Sequence, residues 1–165
     1  MSGDSEALKS RVDQLLLVDD SWPTVRGELQ QLGPGAVPIL IDKVHGGEDQ
    51  KVVERAILAL GALGGPAAEE TLVSLLGHEN SALRAIAVTA LRRTGRKEHL
   101  NAVAGLLNDP SEVVLNEVVK TLGRWGGESF VQPLRDLASR QEKEFMRRLI
   151  AEAIDEIESR AHGGL

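Results

Sequence analysis

Glycines stand at positions 33, 64, 95 and 126, three equal steps of 31 residues, and this spacing constrains the chain more than any other feature. The apolar positions keep the same step. Leu29, Leu60, Leu91 and Leu122 form one column, and Ile41, Leu72, Val103 and Leu134 another. Val25, Ala56, Ala87 and Val118 make a third, and Val44, Leu75, Leu106 and Leu137 a fourth. Columns that agree on one period define an internal repeat, whose units bury their apolar faces only by stacking on one another.

Within a unit the spacing is helical. Val53, Ala56, Ile57, Leu60 and Leu63 follow the i, i+3, i+4, i+7 pattern of one buried face, as do Leu115, Val118, Val119 and Leu122. Upstream, Leu72 with Leu75 and Leu76, and Val103 with Leu106 and Leu107, mark an earlier helix of the pair. Polar stretches at 46–49, 77–81 and 108–111 separate the two, with Ser81 and Ser111 predicted as N-caps. The recurrent glycine falls just past the later helix, where a left-handed cap calls for a residue without Cβ. The prediction is a single all-α domain, a superhelix of about five helix pairs. Its units are 33–63, 64–94, 95–125 and 126–158, preceded by a divergent capping unit at 1–32 and followed by a tail at 159–165. Helices are expected near 5–18 and 23–32 in the first unit. The extra residue of the last unit is assigned to the charged loop at 139–144.

Composition removes several function classes. The only aromatic residues are Trp22, Trp125, Phe130 and Phe145, which disfavours an aromatic-lined pocket or a base-stacking platform. With no cysteine there is no disulfide, thiol nucleophile or thiolate-bound zinc. A net charge of −6 and a pI near 5.3 disfavour nucleic acid as a partner. The start, MSGDSE, does not read as a signal peptide, and the longest purely apolar run, 56–60, is too short to span a bilayer. The expectation is a cytoplasmic protein with no membrane partner.

No catalytic constellation emerges. His78-Glu79 occurs once, in a loop; Glu98-His99 is reversed, with His99 in an apolar column shared with Val37, Ala68 and Phe130. A metal needs at least three convergent donors, so no metal ligand, cofactor or catalytic residue is assigned. There is no Gly-x-Ser-x-Gly elbow and no glycine-rich phosphate loop. Glu69-Glu70 and Asp155-Glu156 diverge around a helix and read as solvated surface. Trp22 and Trp125 fall in apolar columns and are expected to be core packing.

The pattern Arg84-x-x-Ala87-x-x-Ala90-Leu91, with Ala56-x-x-Ala59-Leu60-Gly61-x-Leu63-Gly64 and the first-helix segments 36–41 and 130–134, resembles the HEAT-like repeats of the phycobilisome-lyase type over about 33–158. The resemblance implies an α-solenoid whose second helices line the concave side, and a non-catalytic scaffold binding another protein there. An auxiliary subunit similar to bilin lyase subunits is the alternative it implies. That family's Asp-then-Arg ladder is incomplete here: Arg84 and Arg147 hold the Arg position, but Val53 and Leu115 replace it elsewhere. Asp109 is aligned with Leu115, and His78 with Arg84.

Read with the 31-residue step, the concave surface is a set of rows about 10 Å apart from unit to unit. One row is Arg55, Ile86, Glu117 and Leu149; the next is Leu58, Thr89, Lys120 and Glu152. A third is Ala62, Arg93, Arg124 and Glu156, of which Arg93 and Arg124 join the first two rows as the predicted partner-binding set. Arg92-Arg93-x-x-Arg96-Lys97 reads either as cations offsetting the negative ends of helices or, with Arg124, as a weak anion or phosphate site. Self-association through the same face is the other open reading.

Overall fold

Each 31-residue step resolves into a short helix followed by a long one. The computed structural model describes residues 2–18, 21–47 and 49–163. Among them are ten α-helices and no strand. The first unit holds α1 (Ser2–Leu17) and α2 (Trp22–Leu32), slightly displaced from the predicted bounds. There follow α3 (Ala36–His45) with α4 (Gln50–Leu63), α5 (Pro66–Ser74) with α6 (Ser81–Thr94), α7 (Leu100–Ala104) with α8 (Glu112–Trp125), and α9 (Val131–Ser139) with α10 (Glu144–His162).

The second helices α4, α6, α8 and α10 pack side by side, whereas among α3, α5, α7 and α9 only α3 and α5 make more than slight contact. Close packing on one layer and splaying on the other curl the array, with the second helices inside. Their apolar columns are the core: Ala56, Ala87 and Val118 are fully buried, as are Leu60 and Leu122. Burial of each such leucine contributes roughly 2 kcal/mol.

Local chemistry departs from the sequence reading in three places. Ser81 is not a cap but the first residue of α6; Asn80 caps it, its side-chain oxygen accepting from the Ala82 N–H at 2.9 Å. Ser111 occupies the N-cap position of α8 without a side-chain bond, and Asp109 accepts from the Ser111 N–H instead. The glycine column is also less uniform than its spacing. Gly95 takes the left-handed conformation, φ 68° and ψ 9°, but Gly126 has φ −69°. Glycine is needed at 126 because a Cβ would run into the Leu122 carbonyl and the Phe130 ring.

Two of the three seams between the long helices are very close. A Cβ on Gly61 would stand 2.7–2.8 Å from the backbone of Ala90 on α6, and one on Gly123 would stand 3.0 Å from the Ala153 Cα on α10. Between α6 and α8 the equivalent position is Arg92, which reaches Glu117 at 2.9 Å. The same seam carries the Arg84–Asp109 pair, bidentate at 2.8 and 2.9 Å. Asp109 thus serves the preceding unit rather than standing opposite Leu115, and the ladder rung assigned as broken at Arg84 is made. Arg84 also donates to the His78 and Glu79 carbonyls, stitching its own loop to the next. Arg147 pairs with Glu144 three residues away.

Candidate functional site

The inner face divides into a covered half and an open half. On the covered side, the Arg55 guanidinium donates to the Leu16 and Val18 carbonyls, capping the end of α1. Leu58 and Ile86 are half-buried. Arg93 extends from the last turn of α6 to lie over the Trp22 ring, 5.9 Å from its centroid and two units back. Burial, with Arg26 and Arg92 close by, pulls the Arg93 guanidinium below the usual arginine value.

At the centre, Glu117 gathers three partners: Arg92 at 2.9 Å, the Thr89 hydroxyl at 3.0 Å and Lys120 at 3.2 Å. Burial tends to raise the Glu117 carboxyl, but Arg92, Thr89 and Lys120 outweigh it and hold the group below its ordinary value. Thr89 and Glu117, read from sequence as free partner-binding residues, are therefore tied to one another.

The open half is a groove of about 320 Å³ between α8 and α10. Arg92, Lys120 and Arg124 form one wall, Glu152 and Glu156 the other, and Gly123, Ala153 and Leu149 lie between them. Of the ten residues predicted from the rows, Lys120, Arg124, Leu149 and Glu152 are brought together here. The missing Cβ of Gly123 lets α10 approach, and the wall charges face each other across that close seam.

Besides Leu17 at the end of α1, two exposed apolar residues escaped the sequence reading. Val113 is 62 % exposed and Phe145 60 %. They hold equivalent positions at the starts of α8 and α10, and Phe145 adjoins Leu149 beside the groove. Their signal was available as a row one residue beyond Glu112 and Glu144. The two tryptophans, expected in the core, are only half-buried. Trp125 donates its Nε1–H to the Arg92 carbonyl at 3.0 Å and carries Arg124 over its ring at 5.4 Å.

On the outer side, Glu69 is buried, not solvated as its sequence position next to Glu70 suggested. His99, expected as half-buried packing, is half-buried, and its Nε2 lies 2.8 Å from Glu69. Glu98 completes a group of three donor atoms within 4.8 Å, a convergence that linear spacing did not reveal. Arg96 stands 3.5 Å from Glu69 and 3.6 Å from Glu98, so a guanidinium already bridges both carboxylates and offsets one of their two charges. The signal that could have found the cluster is a carboxylate at 69 in the column of Leu100 and Val131.

Among curated proteins, none matches the sequence. Among solved structures, 23 chains match. One, the crystal structure of an engineered protein from the Northeast Structural Genomics Consortium, aligns at 20 % identity with a TM-score of 0.59, covering 96 % of this chain and 76 % of that one. That likeness concerns the fold alone. No helix among the described residues is long and apolar enough to cross a membrane. The family described as HEAT repeats matches over residues 37–95 and 69–155, well over half of the chain, and the protein belongs to the HEAT-repeat family.

Proposed function

We propose that this protein is a non-catalytic scaffold that binds a partner protein on its inner face, chiefly through the open groove between α8 and α10. The observation that carries the reading is the groove itself, with Lys120 and Arg124 on one wall, Glu152 on the other and Leu149 between them. Opposed charges beside exposed apolar side chains suit a polypeptide, which supplies both kinds of contact. HEAT repeats generally mediate protein interactions, and family membership supports the same assignment. The lyase-type subunit reading draws no support from this geometry. Charged side chains line the groove, whereas small-molecule pockets are lined mostly by apolar and aromatic side chains.

Site-specific photo-crosslinking in source-cell lysate tests the proposal. A benzoylphenylalanine placed at Lys120 or Glu152 is expected to yield discrete protein adducts, and the same probe at Gln132 or Arg135 on α9 none. Adducts only from α9, or none at all, would overturn it.

A further inference from the structure

We infer that Arg26, Arg93 and Arg124, with the two indoles beneath the latter pair, form a receptor for closely spaced carboxylates on an acidic segment of a partner protein. The inference rests on the scaffold reading for the partner's being a protein, and adds its chemistry.

Charge is gathered here against the composition. The chain has 25 acidic residues against 19 basic ones, yet among the described residues no carboxylate reaches ion-pair distance of Arg26, Arg93 or Arg124, although Glu152 and Glu156 stand on the opposite wall of the groove from Arg124. The neighbouring Arg92 and Lys120, by contrast, share the carboxylate of Glu117. Arg93 and Arg26 come from units two steps apart, and their proximity costs electrostatic energy that a bound anion would recover.

The cations are also held in place. Arg93 lies over Trp22 and Arg124 over Trp125. A guanidinium stacked on a ring keeps its N–H edges free, and those edges match a carboxylate bidentately.

The helix ends decide between anions. Arg93 and Arg124 sit in the last turns of α6 and α8, where carbonyl groups carry negative partial charge. A dianionic phosphate favours the opposite end of a helix, whereas singly charged carboxylates spread along a chain meet less repulsion.

The test uses the protein's own tryptophans. The intrinsic fluorescence of Trp22 and Trp125 in the unaltered protein is followed while a hexaglutamate peptide is added. The expected result is a saturable change whose affinity falls about tenfold as salt rises from about 0.05 to about 0.5 M. Arg26→Gln/Arg93→Gln should bind at least tenfold more weakly with an unchanged melting temperature. No saturable change up to about 1 mM peptide, or equal affinity in that variant, would overturn the inference. So would tighter binding of inorganic phosphate or a short DNA duplex, which would make phosphate the ligand. A response seen only after Asp19→Asn/Asp20→Asn would overturn it too, by making the chain's own acidic pair the occupant. Crosslinks from Lys120 and Glu152 that persist through such a failure would leave the scaffold standing and remove only its acidic partner.

Discussion

The seam between α6 and α8 and the two seams beside it are cut from the same repeat, yet different chemistry closes them. Flanking it, Gly61 meets Ala90 and Gly123 meets Ala153, backbone close to backbone, with no side chain between. In the middle, Arg92 replaces the glycine and the helices are joined by Arg92–Glu117 on the inner face and Arg84–Asp109 at the loop end. Close apolar contact tolerates no added volume but ignores pH and salt. A polar seam accepts longer side chains and depends on ionisation. A regular 31-residue spacing thus conceals an array whose joints answer to different perturbations.

The largest expected effect comes from filling a glycine seam. Gly123→Leu should destabilise the protein by about 3 kcal/mol, since Ala153 on α10 leaves no room to shift without opening the helix pair. Urea unfolding checks this, and a loss below about 1 kcal/mol would mean that the seam is looser than the Gly123–Ala153 approach requires.

Next is the buried end of the polar seam. The Arg84 hydrogen bonds hold the Asp109 carboxyl below its usual value, against an opposing effect of burial, with help from the Ser111 N–H. The unfolded chain therefore binds this proton more readily, and the pair stabilises the fold above the ordinary carboxylate range. That stability is lost as pH falls below about 4 and through the depressed folded value. Asp109→Asn should cost about 2 kcal/mol at neutral pH, the gap to wild type narrowing in acid. A gap constant from pH 7 to pH 3 in denaturant titrations would refute the linkage.

The smallest effect concerns the inner end. A double-mutant cycle on Arg92→Gln and Glu117→Gln should give a coupling of about 1 kcal/mol that shrinks in high salt, because both groups are partly solvated. No coupling would assign the closure of this seam to Arg84–Asp109 alone.

Much of the architecture was legible in the chain because helix pairing obeys local periodicity. Columns at a step of 31 located α3 to α10, and Pro23 stands in the first turn of α2. The site was only partly legible. Rows correctly identify which residues share a face, but not whether a side chain on that face is already engaged. Arg55 is used by the carbonyls of α1 and Thr89 by Glu117, whereas Arg93 is stacked on an indole two units away with its N–H edges still open. Arg84 and Asp109 are 25 residues apart, out of step with the repeat, so alignment by period set each against the wrong neighbour.

By itself, the sequence determined the helix-pair repeat, its 31-residue period, its buried columns and the absence of cysteine chemistry. Those follow from backbone periodicity and from which side chains avoid water, both encoded within a few turns. The tertiary structure alone decided which charges are spent and which stay open, and where the inner face is covered. Long arginine side chains cross from one unit to another, and their partners are fixed by the curl and offset of the stacked helices, quantities no single unit contains.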